Sequence, residues 1–174
     1  MPIRVEIYVA GGIVGGIVAR SGRLRDVLEV GDAIDVERAT WSPLDGPAAP
    51  APRGITVAPD DVYIAAGDDD PGPPVHAVWH SVRLLVGSYV VEGELPTLPG
   101  FDPDRALTRP TGSFVLLRDV RVSLADRPAA GTATHHHALV NRYAVDEVSS
   151  DLMLGFFFPG AHYPPGTGVA ATAG

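Results

Sequence analysis

Residues 112–126 read GSFVLLRDVRVSLAD, and residues 31–45 read GDAIDVERATWSPLD. The two stretches share Gly31 with Gly112, Ser42 with Ser123 and Asp45 with Asp126, a match too sparse to carry weight alone. Their apolar phase says more. In the first, Ile34 and Val36 fall on one face of a strand, while Ala39 and Trp41 have the opposite parity. In the second, Val115 and Leu117 are followed by Val120 and Val122 with the same change. Side chains alternate strictly along a strand, so a parity change keeps one face apolar only where an extra residue is accommodated, as in a β-bulge. The slips fall at corresponding places, Glu37-Arg38 and Arg118-Asp119. The pattern predicts two bent strands of common geometry.

Working outward, IYVAGGIVGGIV (7–18) falls on LLVGSYVVEGEL (84–95), and ITVAPDDVYIAAG (55–67) on ALVNRYAVDEVSS (138–150), with the extra residues of the second half confined to loops. Each half reads as a hairpin, a turn-rich connection, a long bent strand, a variable loop and two short strands. The first set runs through 4–10, 13–19, 32–41, 55–58 and 61–66; the second through 79–86, 89–95, 113–124, 138–141 and 143–148. Gly11 and Gly12 suit the hairpin turn, and Gly15-Gly16 permit tight curvature. RLRDVLEV (23–30) places Leu24, Val27 and Leu28 at helical spacing. GDDDPGPP (67–74) cannot continue a sheet and reads as a boundary. The expected fold is all-β: two pseudo-duplicated, small, bent five-stranded barrels in tandem. They occupy residues 1–67 and 76–151, joined by a linker over 68–75 and followed by a hydrophobic extension and flexible tail over 152–174.

Composition agrees with a folded β protein. With 45% hydrophobic and 20% charged residues there is apolar material enough to offset chain entropy, and 20 Gly and 17 Pro punctuate the chain into short strands. There is no cysteine, which removes disulfides and thiolate sites. The apolar opening MPIRVEIYVAGGIVGGIVAR carries Glu6, alternates like a strand and falls short of the roughly 20 residues a membrane span requires, so the reading is a cytoplasmic protein with no span. A net charge of −8 with scattered arginines argues against nucleic acid, whose binders cluster cations against phosphates.

The second half, with VLLRDVRV, a loop and then LVNRYAVDEV, resembles the Sm/Lsm small barrel, found also in bacterial small-barrel families. Leu117, Asp119, Val140, Arg142, Val145 and Val148 approach that family's two-part signature. The resemblance implies five bent strands per unit. It also implies an alternative function as an RNA binder, with Asn141, Arg142 and Tyr143 on a rim and Arg118 or Arg121 nearby. The family's Asp-x-x-Met-Asn loop and the glycine after its arginine are absent here.

Among possible chemical sites, THHHAL (134–139) stands out, with His76, His80 and His162 elsewhere. Neighbouring residues of a strand point to opposite faces, so His135 and His137 can share a ligand while His136 cannot; with His76, His80 and His162 they form the candidate metal set, against a plain reading as surface histidines at a loop-to-strand junction. Asp68, Asp69 and Asp70 lack the spacing of a calcium loop and read as a solvated linker. No Gly-x-Ser-x-Gly elbow appears, and GGIVGG (11–16) is followed by neither Lys-Ser/Thr nor a helix, so no enzyme is expected and no cofactor is called for.

LMLGFFFPGAHYPP (152–165) has no counterpart in the first half. Phe156, Phe157 and Phe158 alternate across both faces of an extended segment, which suits either docking on a partner or covering the open end of the chain's own barrel. The function expected is a non-catalytic scaffold that self-associates or docks on a protein partner through strand edges and this phenylalanine-rich segment.

Overall fold

Short connections keep sequence neighbours together in space. The structure, a computed structural model, describes residues 1–72, 76–97, 112–152, 154 and 157–165. Strand β1 (Ile3–Val9) turns through Ala10 and Gly11 into β2 (Gly12–Val18); Gly12 is already in the ladder opposite Val9, so the turn lies one residue earlier than its glycines suggest. Helix α1 (Leu24–Glu29) follows and buries Leu24, Val27 and Leu28, the three residues at helical spacing. β3 (Ile34–Pro43) pairs with β2, and its free side is met by β4 (Ala49–Ala51) near one end and β5 (Ile55–Val57) near the other. A 3-10 turn at Pro59–Asp61 then leads to β6 (Ile64–Gly67), which returns to the other side of β1.

The second half repeats this order of pairing. β7 (Val78–Val86) and β8 (Tyr89–Thr97) form a hairpin, β9 (Phe114–Leu124) pairs with β8, β10 (Thr132–Asn141) with β9, and β11 (Val145–Ser150) returns to β7. β6 also pairs with β10, through Leu139 opposite Ala65 and Val140 opposite Ile64. The result is one antiparallel sheet in the order β11-β7-β8-β9-β10-β6-β1-β2-β3-β4, with β5 beside β3. The all-β class holds. Barrel closure does not: among the described residues no ladder joins β5 to β6 or β10 to β11, and β6 instead carries the ladder on into β10.

Both long strands are bulged where the apolar parity changes. Arg38 and Asp119 each have φ of 49°, and the ladders skip at Gly15/Ile17 opposite the first and at Glu92/Glu94 opposite the second. A left-handed residue costs about 1–2 kcal/mol for anything but glycine. What it gains is burial on both sides of the slip: Ile34, Val36 and Ala39 in β3, and Val115, Leu117, Val120 and Val122 in β9, are all buried. The residues skipped on the partner strands are glycines. A Cβ at Gly16 would lie 2.5 Å from Val36 Cγ1 and 2.7 Å from the Glu37 carbonyl oxygen, and one at Gly93 3.1 Å from the Arg118 carbonyl oxygen.

The two halves exchange side chains across the β6–β10 junction. Tyr8, Ile64 and Ala66 of the first half belong to the apolar cluster built on β7 to β11, while Phe114 and Leu139 of the second belong to the cluster built on β1 to β3 and α1. Burying Tyr8, Ile64, Phe114 and Leu139 at roughly 1.5–3 kcal/mol each is worth about 6–12 kcal/mol as an upper estimate. That is the size of the whole net stability of a typical domain, about 5–15 kcal/mol. Polar bonds reinforce the junction. The Tyr89 hydroxyl reaches the Val9 and Gly12 carbonyl oxygens at 2.7 and 2.8 Å, and the Glu29 carboxylate accepts from the Ser113 and Phe114 amides at 2.9–3.0 Å.

Three local expectations are corrected. Residues 49–51 of the supposed variable loop form β4. β10 begins at Thr132, so the histidines stand inside a strand rather than at its entrance. Asp68, Asp69 and Asp70 accept from the amides of Arg4, Leu24 and Gly72, which makes the start of the linker a tie between β1, α1 and its own turn. The insertion at 98–111 and the end of the tail at 166–174 lie outside the described residues.

Two substitutions test this packing. Gly16→Ala is expected to lower the free energy of urea unfolding by about 2–3 kcal/mol and Gly93→Ala by about 1 kcal/mol, because overpacking scales with the clash; the reverse order would contradict the bulge geometry. Phe158, 1% exposed in the cluster built on β7 to β11, should cost about 3–5 kcal/mol as Phe158→Ala. A loss below about 1 kcal/mol would mean that the tail is not part of the fold.

Candidate protein-docking site at the open edge of the sheet

A sheet that does not close has two ends, and here they are treated differently. At the β11 end the C-terminal segment folds back. Leu154 and Phe158 are buried in the apolar cluster, Phe157 is partly buried against it, and the Phe157 carbonyl oxygen accepts from Arg142 Nε at 2.9 Å. Beyond them His162 runs parallel to β11. Its carbonyl oxygen accepts from the Val148 amide at 2.9 Å, and its amide donates to the Asp146 carbonyl oxygen at 2.7 Å. The outer edge of β11 is thereby occupied at its middle, around Glu147.

Among the described residues the other end is open. There the outer side of β3 is met by two three-residue strands alone, one containing Pro50, which has no amide hydrogen to offer. Short strands and edge prolines are the usual protection of an exposed edge against uncontrolled pairing. Beside β5 runs a groove of about 380 Å³ with Val9, Val14, Trp41, Ile55 and Val57 in its walls. Val9, Trp41 and Ile55 are only partly buried there, and Asp60 and Asp61 stand exposed at its rim. Strand addition at such an edge draws affinity from backbone hydrogen bonds and selectivity from pockets for alternate side chains. The groove is not legible in the sequence, because its walls come from β1, β2, β3 and β5; the one local sign of it is Trp41, a large aromatic near the end of β3.

The residues singled out from the sequence are distributed as follows. Of the three phenylalanines, Phe158 is a core residue, Phe157 packs against that core, and Phe156 lies outside the described residues. Asn141 and Arg142 are 8% and 4% exposed and serve the fold: Asn141 Nδ2 donates to the Val62 carbonyl oxygen at 3.1 Å and Arg142 NH1 to that of Gly112 at 2.9 Å. Tyr143 is 63% exposed beside them. Arg118 Nε lies 2.6 Å from Glu94 and its guanidinium covers the Trp79 ring, while Arg121 pairs with Glu92 at 3.3 Å. These arginines already have anionic partners.

The histidines do not converge. His76 is exposed, His80 Nε2 is 2.8 Å from Thr97 Oγ1, and His162 sits on the β11 edge. His135 and His137 share a face of β10 while His136 points to solvent, as strand alternation requires. His137 Nε2 lies 3.6 Å from Asp69 Oδ1 beside a small cavity of about 80 Å³. Among the described residues no three His, Asp or Glu side chains come together as a metal would need.

His135 belongs to a polar chain across the junction. The Tyr8 hydroxyl is 2.9 Å from His135 Nε2 and donates to Glu6 Oε2 at 3.3 Å, and its ring meets Tyr89 edge to face at 5.3 Å. Burial, followed by the Glu6 carboxylate, raises the Tyr8 pKa well above its ordinary value, so the phenol stays protonated. Burial lowers the His135 pKa; the Glu6 carboxylate opposes this and His137 adds to it. The chain is a tie between β1 and β10.

With the folded-state pKa of His135 below its ordinary 6.5, the unfolded chain takes up this proton first. The stability carried by neutral His135 is therefore complete above about pH 6.5 and is lost as pH falls through the lowered value. The thermal midpoint should drop between pH 7.5 and pH 5.5, and drop less in His135→Gln; parallel profiles would show that this imidazole does not couple to folding. Set against known proteins, the chain matches no family model, no curated protein and no solved structure.

Proposed function

We propose that this protein is a non-catalytic interaction module that docks on a protein partner by strand addition at the β4–β5 edge. The observation that carries the reading is the contrast between the two ends of the sheet: one edge is occupied at its middle by the chain's own tail, while the other is left with short strands and an apolar groove. Had both edges needed only protection, short strands would have served at either. The tail's part in this reading is to occupy one edge, which leaves docking to the other.

A pseudo-duplicated unit underlies the arrangement. The strand orders β6-β1-β2-β3-β5 and β11-β7-β8-β9-β10 correspond, and so do the registers: Tyr8 opposite Ile64 and Ile7 opposite Ala65 in one half match Leu85 opposite Glu147 and Leu84 opposite Val148 in the other. Gly31 and Gly112, at φ of 84° and 85°, match as well, as do the two bulges. On this reading β10 has β6 as its strand-addition partner within the chain, and β5, its counterpart, is the position kept for another protein.

The test is to pan a random linear-peptide library against the full chain and map the binders by amide hydrogen exchange. Binders are expected to slow exchange at residues 55–57 and to shift the Trp41 fluorescence, with Trp41→Phe removing the optical signal. Binders that protect other surfaces only, or single-stranded RNA that binds at low ionic strength while peptides do not, would overturn the proposal.

A further inference from the structure

The filled groove of the second half shows what the open groove of the first is shaped to receive. Val86, Val91, Ala138 and Val140 are the counterparts of Val9, Val14, Ile55 and Val57, and all four are fully buried, in one cluster with Tyr8 and Ile64 of the first half. The added strand, β6, supplies the aliphatic Ile64 there, and the aromatic Tyr8 comes from the next strand, β1. In the first half Val14 and Val57 are buried as well, while Val9 and Ile55 are only partly covered; the added feature is charge: Asp60 and Asp61, both exposed, with no basic side chain paired to them among the described residues.

A second copy of this chain fits poorly. The element that would repeat the junction is β11, which presents Glu147 where β6 presents Ile64, with Asp146 beside it. Carried over from the β6–β10 register, Glu147 would stand opposite Val57, bringing two acids toward the Asp60–Asp61 end of the groove, and like charges brought together count against a wrong partner. His162 also covers that edge. The chain thus carries its internal junction once and is built against carrying it twice.

We propose that the occupant of the β5 groove is a different protein, presenting an extended segment with an aliphatic side chain in the manner of Ile64 and flanked by basic residues that meet Asp60 and Asp61. This rests on the edge-docking reading above and adds the chemistry of the partner. It makes the module one-ended: it joins a basic strand on one side and ends on the other.

The probes are three synthetic peptides that share the core Val-Tyr-Ile-Ala-Ala-Gly, the sequence of residues 62–67. Their flanks are Arg-Arg, Gly-Ser or Glu-Glu. Each is titrated into the full chain at low salt, with the amide signals of residues 55–57 and the Trp41 indole followed by NMR. The arginine-flanked peptide is expected to saturate these shifts, with the glutamate-flanked one at least ten-fold weaker. Asp60→Asn with Asp61→Asn should bring the arginine-flanked peptide to the level of the neutral one without moving the thermal midpoint. Equal binding of all three peptides would sink the basic-partner inference and leave edge docking standing. No perturbation of 55–57 by any of them at millimolar concentration would sink both. Protection of 55–57 that grows with protein concentration in the absence of peptide, together with a doubled mass in sedimentation, would show that the occupant is a second copy.

Discussion

Everything in this structure hangs on the meeting of β6 with β10. That contact is short, two residue pairs long, yet it decides the architecture because the side chains around it cross over. Tyr8 and Ile64 complete one apolar cluster, and Phe114 and Leu139 complete the other. Neither half covers its own core without the other. The polar groups at the seam are accordingly committed: Asn141 and Arg142 to backbone carbonyls, Glu29 to two amides, Tyr89 to the β1–β2 turn. A buried donor left without a partner costs about 1–3 kcal/mol, so such residues are poorly placed to serve a ligand as well.

The bulges were legible in the sequence because they are local. Strand alternation is a strict rule, and its violation at Arg38 and Asp119 reads directly off the spacing of Ile34, Val36 and Ala39, and of Leu117 and Val120. α1 was legible for the same reason, from three apolar residues at helical spacing. β4 was not, since Ala49-Pro50-Ala51 has no intrinsic strand preference and is extended only because β3 offers it an edge. The early start of β10 was hidden likewise, because Thr132 to His137 (TATHHH) show no apolar alternation and owe their extension to β9.

The site was harder to read than the fold. Asn141, Arg142 and the phenylalanines look like recognition residues in one dimension, since polar and aromatic side chains in loops often are. What makes Arg142 structural is a set of carbonyls contributed by Gly112 and Phe157, 30 and 15 residues away in the chain. The groove beside β5 is equally non-local. Apart from Trp41 its walls are ordinary valines and isoleucines, and only the folded structure shows that Val9 and Ile55 are left partly uncovered. The histidine run, the most conspicuous feature in sequence, divides between the β1–β10 tie, the Asp69 cavity and solvent.

The seam also sets an order of events during synthesis. Ile64 and Ala65 emerge from the ribosome about 75 residues before Val140 and Leu139, their partners in the ladder, a wait of roughly 4–15 s at ordinary elongation rates of about 5–20 residues per second. For that interval β6 has β1 on one edge and nothing on the other, and Tyr8 is an uncovered aromatic, on a nascent chain with half of its core outstanding. Contacts this distant in sequence also form late and slowly after release. The newborn amino-terminal half is thus the stage of this protein's life most exposed to off-pathway association, and the one at which a chaperone would have most to hold.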